Sequence, residues 1–352
     1  SADLFATEPG RGAPASINFV SCHDGFTLTD LTRYRSKHNE ANGENNNDGS
    51  SVNHSANFGV EGVTDDPDVI AAREQAAMNM IGMLLLSLGT PMMLAGDEFR
   101  NTQDGNNNAY CQDNDITWLK WDWMYSTNKT REMRRLETVS RLVALRKSLD
   151  LYHHEDFFTR LTQLGLLKPS SRVQWFLPDG TTPMERDWFD LGVRSFTMRL
   201  LSNSEVDVCI VVNGTADDRT FRLPPDTHWT PKWCSAEING RRAGHGTQVE
   251  ECDLNGDTTV WTQHVPDASE TVLKMVKEVA MQRTESSTEN EADTIKFAMP
   301  VTDHAANGTS SAPRDEVSAD MPDAPVDDTP DTPVDDNVWT MPALSITLMK
   351  QV

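Results

Sequence analysis

Apolar and polar positions follow one another in blocks over the first 150 residues. A short apolar run at 17–20 ends in a polar corner at 21–25, and a second run at 91–95 ends in another corner at 96–98. A longer, largely apolar stretch lies between them and extends to about residue 88. Short apolar runs bounded by turn residues are typical of buried strands in a parallel sheet. The pattern therefore predicts a strand, a helix and a second strand, with a polar corner after each strand.

The stretch between the two strands carries the start and stop signals of a helix. Asp66, Pro67 and Asp68 place acids and a proline at its first turn, and Gly89 follows its end. Residues 76–95 carry no charge and have the length of a membrane span. An asparagine and a Gly-Thr-Pro break interrupt that run, so a buried helix followed by a buried strand is the better interpretation.

Two long polar loops follow the corners, at 25–66 and 99–127. Loops of this length inside a compact domain are usually functional. The second loop leads into a predicted helix at 130–149 with an apolar face formed by Leu136, Val139, Leu142, Val143 and Leu145. The order strand, helix, strand is a βαβ unit, which implies a parallel sheet with polar residues at both strand ends.

Beyond residue 150 the pattern changes to short alternating strands joined by turn sequences. The predicted strands lie at 173–177, 195–201, 207–212, 219–223 and 258–262. We therefore expect an α/β region at 1–150 and an all-β, antiparallel sandwich domain at 151–283.

A strongly acidic stretch separates this domain from the last residues. Residues 284–337 hold 14 acids against two basic residues, and few large apolar side chains. Such a composition predicts disorder. The segment 338–352 is again apolar, so we expect the acidic stretch to be an insertion and the last segment to return as a strand to the β domain. A frayed apolar tail is the alternative.

The amino-acid composition limits the kinds of molecule that this chain is expected to bind. The 352 residues carry a net charge of −23, which disfavours binding to nucleic acid or to an anionic membrane. A neutral ligand such as a sugar is compatible with this charge, and nine tryptophans offer faces that could stack on sugar rings, although core packing explains most of them. The five cysteines are scattered and lack CxxC spacing, which predicts a reducing cytosol and neither a zinc site nor disulfides.

His23 and Asp24 are the first candidates for chemistry. They lie in the corner after the first strand, and in a (β/α)8 barrel catalytic residues lie at that end of the strands. As a bare dipeptide the pair is equally compatible with the capping of a turn.

Four long motifs resemble the isoamylase-type glycogen debranching enzymes of the α-amylase superfamily. They are INFVSCHDGF, KHNEANGENNNDG, LLLSLGTPMMLAGDE and QDGNNNAYCQDNDITW, which lie between about residues 15 and 150. A weaker resemblance, in RDWFDLGVRSFTMRL, extends into the predicted β domain. The resemblance implies the last two β/α units of a (β/α)8 barrel followed by a carboxyl-terminal β-sandwich.

The resemblance also implies roles for individual residues. His23 and Asp24 match the last shared catalytic motif of the superfamily, in which the Asp stabilises the transition state and the His binds the sugar. Gly96-Asp97-Glu98 matches a motif that shapes the end of the barrel. Tyr110 and Gln112, on the loop after the second strand, are further candidates for substrate binding, by ring stacking and by amide hydrogen bonds. Tyr110 could equally be a packed anchor of its loop.

Two further carboxylates that a retaining glycosidase requires, the nucleophile and the general acid, have no match in these residues. In the superfamily they lie ahead of the His-Asp motif. We therefore expect this chain by itself to be inactive. We also expect its open strand edges to need a partner, either the missing catalytic half or another copy of the chain.

Two alternatives to a hydrolase part remain open. One is a non-catalytic glucan-binding or regulatory protein, and the other is a pseudoenzyme fragment acting in an oligomer. No cofactor is expected. Residues 44–49 mimic the start of a calcium loop, but Ser55 stands where the bidentate Glu would be, so we interpret the segment as a loop without a metal.

Overall fold

In the computed structural model of the chain, the two long helices and the predicted strands that it describes follow the expected order. Several short elements are not predicted by the sequence, and the last segment holds two strands where the sequence predicts one. The structure describes residues 12–153, 173–201, 207–225, 228–245, 250–251, 337–342 and 345–351. The acidic stretch before residue 337 and the predicted strand at 258–262 lie outside the described residues. All described residues belong to one compact unit, formed by residues 1–273 and 334–352.

The helices are α1 (Leu28–Leu31), α2 (Pro67–Leu86) and α3 (Arg131–Ser148). The strands of the first half are β1 (Ile17–Asn18) and β2 (Thr90–Pro91). The later strands are β3 (Val173–Phe176), β4 (Ser195–Leu200), β5 (Val208–Asn213), β6 (Arg219–Arg222), β7 (Trp229–Cys234), β8 (Arg241–Arg242), β9 (Gly244–His245), β10 (Glu250–Glu251), β11 (Val338–Met341) and β12 (Ser345–Gln351).

The first half of the chain forms the predicted βαβ unit. β1 and β2 pair in parallel, with Ile17 opposite Thr90. Both strands differ from the apolar runs that predicted them, because regular pairing covers only Ile17–Asn18 and Thr90–Pro91, and the second strand shares only Pro91 with the run at 91–95. The Asp66 side chain caps α2 by accepting from the backbone N–H groups of Asp68 and Val69, as its position before Pro67 predicts.

The second half forms antiparallel sheets. The larger sheet has the strand order β3-β4-β5-β12-β7, and a three-stranded sheet has the order β6-β11-β9. β11 and β12, which follow the acidic stretch in the sequence, each lie between strands from before it. The division into domains at residue 150 stays a prediction.

Alternate residues of β5 face two different apolar clusters. Val208 and Ile210 pack with the helices in one cluster, and Cys209 and Val211 pack with the three-stranded sheet in the other. This is the two-residue period of a strand that is buried on both faces. The helices, the five-stranded sheet and the three-stranded sheet therefore form three consecutive layers.

By length and composition α2 could cross a membrane. Half of its most apolar window is buried inside the protein, and Ala77, Met78 and Ile81 belong to the cluster that it shares with α3 and the five-stranded sheet. Such packing is typical of a helix in the core of a globular protein.

Candidate functional site

The parallel pairing of β1 and β2 brings both polar corners to one edge of the sheet. Backbone hydrogen bonds of 2.8 Å join Thr90 N to Ser16 O and Met92 N to Asn18 O. Because parallel strands run in the same direction, residues 21–25 and 96–98 leave the pair at the same end. Ser21 and Asp97, which are 76 residues apart in sequence, are in contact there.

The side chains of His23 and Asp24 lie at the surface of this edge. His23 Nε2 is 3.2 Å from Asp24 Oδ2, and the two side chains are 86% and 80% exposed. A carboxylate and an imidazole that open side by side to solvent can contact a ligand without any rearrangement of the core. The cap of the helix that follows is Thr27 and neither member of this pair, and the capping of a turn by the pair stays an alternative.

Asp97 is buried and Glu98 is half-buried. Asp97 is 2% exposed, and it accepts hydrogen bonds from the Ser21 hydroxyl and, at 2.9 Å, from Leu28 N. Glu98 accepts from Gly96 N at 2.9 Å. Burial raises the pKa of both carboxyl groups, and their hydrogen bonds offset only part of that effect.

Tyr110 presents its ring to solvent on the loop that follows β2. Its side chain is 68% exposed, and its hydroxyl donates to Glu44 Oε1 at 2.6 Å. This hydrogen bond, together with the charge of Glu44, raises the pKa of Tyr110 to about 12. The tyrosine is thus an exposed ring fixed at its hydroxyl end, a combination that suits stacking on a sugar.

Both the nitrogen and the oxygen of the Gln112 side-chain amide form hydrogen bonds within the protein. Its Nε2 donates to Asn42 Oδ1 at 2.7 Å, and its Oε1 accepts from Asn114 Nδ2 at 2.8 Å. A ligand hydroxyl would have to share these atoms with the protein. Trp118, which the sequence analysis did not single out, lies on the same loop with its ring about half exposed and its Nε1 donating to Asp113 at 2.9 Å.

Two buried asparagines tie the loops around the site together. Asn39 Nδ2 donates to Asn107 Oδ1 at 2.9 Å, and Asn107 N donates to Asn39 Oδ1 at 3.0 Å. Asn107 also donates through Nδ2 to Asn53 at 2.6 Å, and its carbonyl accepts from Gly25 N at 3.0 Å. The turn that carries His23 and Asp24 is therefore bonded to the loop that carries Tyr110.

Gly49 lies against this pair of asparagines. It adopts φ +72°, and a Cβ atom there would meet the Asn107 carboxamide oxygen and lie 2.7 Å from Asn39 Nδ2. In the sequence, the Asn-rich runs predict loops. Their spacing gives no signal of pairing, because the bonded partners are 68 residues apart.

The segment that resembles a calcium loop folds around a lysine. Lys37 Nζ donates to the carbonyl oxygens of Asn47, Asp48 and Gly49 at 3.2, 2.7 and 3.1 Å. An ammonium group has three donors, so these three carbonyls satisfy it. Within the described ranges, no group of three or more His, Cys, Asp or Glu residues is placed to hold a metal ion.

Curated proteins that are similar to this chain are named glycogen operon proteins or glycogen debranching enzymes. A glycogen operon protein GlgX homolog of Mycobacterium bovis is 44% identical over 202 residues, which is 56% of this chain and 27% of that protein. The corresponding protein of Haemophilus influenzae is 38% identical over 66% of this chain and 33% of its own length. A glycogen debranching enzyme of Pectobacterium atrosepticum is 38% identical over 72% of this chain and 36% of its own.

The chain thus spans about a quarter to a third of the length of these relatives. No family model matches it. Solved structures that align with the chain include a type I pullulanase from Bacillus subtilis complexed with maltose, with a TM-score of 0.41, 20% identity and coverage of 62% of this chain and 24% of that one. Another is the GBS pullulanase SAP in complex with maltotetraose, with a TM-score of 0.46, 9% identity and coverage of 99% and 34%.

Proposed function

The chain is a homologue of bacterial glycogen debranching enzymes, matched over a portion of their length, and on this premise we propose that it is the carboxyl-terminal part of an α-1,6-glucan debranching hydrolase. The structural observation that supports this proposal is the exposed His23–Asp24 pair at the common edge of β1 and β2. The substrate class is an α-glucan such as glycogen or a limit dextrin, and the mechanism is retaining.

Asp24 stabilises the transition state in this proposal. Cleavage of a glycosidic bond passes through an oxocarbenium-like state with positive charge on the sugar ring. A fixed carboxylate beside that ring stabilises the charged state more than the neutral ground state. Asp24 needs no proton transfer for this role. It has to stay ionised and hold its position.

His23, Tyr110 and Gln112 bind the substrate in this proposal. The imidazole of His23 donates to a sugar hydroxyl, and the Tyr110 ring stacks on a sugar face. Gln112, whose amide already bonds to Asn42 and Asn114, supports the loop and contributes at most a shared hydrogen bond. Gly96-Asp97-Glu98 shapes the end of the sheet from within the protein.

The architecture that we propose is the end of a (β/α)8 barrel followed by a β-sandwich. The parallel β1–β2 pair would supply the last two barrel strands, and α2 and α3 the helices that follow them. The two antiparallel sheets that share the Cys209–Val211 cluster would form the sandwich. Free thiols at four described cysteines are compatible with a cytosolic location.

The edge of β1 supports the need for a partner. Ile17 and Phe19 are 59% and 54% exposed, and they border a groove with Met80, Met83 and Leu84 of α2. A remaining barrel segment would cover this apolar groove and pair with the strand. We propose that this partner also supplies the nucleophile and the general acid, and that residues 1–352 by themselves do not hydrolyse glucan.

Hydrolysis and binding measurements separate this proposal from its alternatives. The pure chain should release no reducing ends from pullulan or glycogen limit dextrin. Mixing it with the complementary portion of the Pectobacterium atrosepticum enzyme should restore release. Detectable hydrolysis by the pure chain would contradict the proposed incompleteness. Tight glycogen binding without any restored hydrolysis would favour the non-catalytic glucan-binding alternative.

A further inference from the structure

We propose that Asp97 is a positioning residue that holds the turn bearing His23 and Asp24 at both of its ends. We name residues 21–28 the His-Asp turn. One oxygen of Asp97 accepts from the Ser21 hydroxyl at the start of the turn, and the other accepts from Leu28 N at its end, at 2.9 Å. A single buried carboxylate therefore fixes the two ends of an eight-residue segment.

Asp97 is itself fixed by a buried ion pair. Its backbone carbonyl accepts from Arg135 Nη1 at 3.4 Å, and Arg135 Nη2 lies 2.8 Å from Glu74 Oε2. Arg135 also donates to Thr29 Oγ1, one residue after the turn, at 3.2 Å. Glu74 belongs to α2 and Arg135 to α3, so the anchor of the turn rests on the two longest helices.

Between its two ends, Phe26 is buried with its ring centroid 6.3 Å from that of Tyr34, and His23 Nε2 lies 3.2 Å from Asp24 Oδ2. Gly25 N donates to Asn107 O at 3.0 Å, and Cys22 Sγ lies 3.3 Å from Asp24 O. Thr27 caps α1 by accepting from Asp30 N at 3.1 Å, which orders the far end of the turn locally. The near end, from Ser21 to Asp24, depends most on the Asp97 contact.

The consequence for catalysis rests on the proposed function. If Asp24 stabilises a developing charge, its carboxylate has to be held in place before the substrate reacts. The order of the turn itself does not depend on that function. It can be measured on the isolated chain, so failure of one claim is distinguishable from failure of the other.

The hydrogen-bonding pattern predicts that substitutions at these positions disturb the turn to different degrees. Asp97→Ala removes both contacts. Asp97→Asn keeps an acceptor for Leu28 N and can donate to the Ser21 hydroxyl, which is free to rotate. Ser21→Ala removes the contact at the near end alone. Glu98→Ala removes the neighbouring carboxylate, which accepts from backbone N–H groups of its own corner and has no hydrogen bond to the His-Asp turn in the described part of the chain, and it is the matched control.

Cys22 provides a reporter within the turn. It is a half-buried free thiol, whereas Cys209 and Cys234 are fully buried in the β layers. In a chain carrying Cys111→Ser and Cys252→Ser, the rate of reaction of Cys22 with a disulfide reagent measures local opening of the turn. Reaction of Cys209 and Cys234 measures global unfolding in the same sample.

The expected result is a local effect. Asp97→Ala should raise the rate at Cys22 by about fivefold or more, and Ser21→Ala by about twofold to threefold, with Cys209 and Cys234 still protected. Asp97→Asn and Glu98→Ala should stay within about twofold of the parent chain. Because Asp97→Asn removes the charge but keeps the contacts, it separates positioning from an electrostatic effect on the thiol.

Three outcomes would overturn the proposal. The first is an unchanged Cys22 rate in folded Asp97→Ala. The second is an equal rate increase in Asp97→Asn. The third is a Cys22 increase matched by Cys209 and Cys234, which would show general destabilisation. If Asp97→Ala does not fold, the test rests on Ser21→Ala. An unchanged rate of reaction of Cys22 with the disulfide reagent in that variant would contradict the proposal.

Discussion

At the residue scale, three acidic side chains differ in exposure and in the number of hydrogen bonds that they accept. Asp24 is exposed to solvent, Asp97 is buried and hydrogen-bonded at both oxygens, and Glu61 accepts hydrogen bonds from four donor groups within its loop. A carboxylate that is saturated by protein donors cannot also serve a ligand. Of these three, Asp24 is the one whose carboxyl group is accessible to a ligand.

Glu61 makes stability depend on pH in the acid range. Burial by itself would raise the pKa of this carboxyl, but hydrogen bonds from Arg35 N, Asn57, Ser36 N and His38 outweigh it and lower the pKa to about 2. The folded-state pKa is therefore below the usual glutamate pKa of 4.5. The ionised group stabilises the fold above pH 4.5, and this contribution is lost as the pH falls from 4.5 towards 2.

Glu61→Gln tests this expectation through the free energy of unfolding. The difference between the parent chain and the variant should shrink as the pH falls from 4.5 towards about 2, because protonation removes the advantage of the carboxylate. Glu40→Gln, at an exposed glutamate of the same long loop, is the control and should track the parent chain. A constant difference between Glu61→Gln and the parent chain over this range would contradict the assignment.

At the element scale, one glycine sets the distance between α2 and the five-stranded sheet. A Cβ atom at Gly82 would lie 2.8 Å from Cη2 and 3.0 Å from Cζ3 of Trp233, which is almost fully buried in β7. Carbon atoms in contact are normally about 3.5–4.0 Å apart, so the helix packs on the indole only because residue 82 has no side chain.

Gly82→Ala should therefore destabilise the chain. Overpacking costs about 1–3 kcal/mol, while alanine gains about 1 kcal/mol in helix propensity, so we expect a net loss of up to about 2 kcal/mol. Denaturant unfolding measures it. In a Trp233→Leu background the same substitution should become neutral or stabilising, because the ring that it meets is gone. Equal or greater stability of Gly82→Ala in the parent chain would contradict this packing account.

The sequence predicts the long elements well and the short ones poorly. The cap at Asp66 and the apolar run that follows it locate α2 with an error of two residues at its end. α1 has four residues, too few for a periodicity, and the sequence pattern places it inside a loop. β7 contains Pro231, which argues against a strand, but β7 is an edge strand of its sheet, where proline is tolerated.

The candidate site shows the same division. The position of His23 and Asp24 after a strand could be predicted, because it depends on local sequence. The ties that hold the site could not, since Asn39 with Asn107 and Ser21 with Asp97 join residues about 70 positions apart. Local pattern does not encode such pairs, and tertiary packing selects them.

At the scale of the whole molecule, the described residues form a stable core beside an open apolar edge. The helices and both sheets bury two clusters, but Ile17, Phe19 and Met83 stay exposed along β1 and α2. Exposed apolar side chains grouped next to an unpaired strand edge are typical of an interface. This exposed edge is what supports the proposal that another polypeptide segment pairs with β1.

The most direct test of this account is a chimera. The matched portion of the Pectobacterium atrosepticum debranching enzyme is replaced by this chain, and release of α-1,6-linked branches from limit dextrin is measured. The account predicts an active chimera in which Asp24→Asn lowers kcat by about 10²–10³-fold, the size expected for loss of a group that stabilises transition-state charge. An inactive chimera, or an active one in which Asp24→Asn changes kcat by less than about twofold, would contradict it.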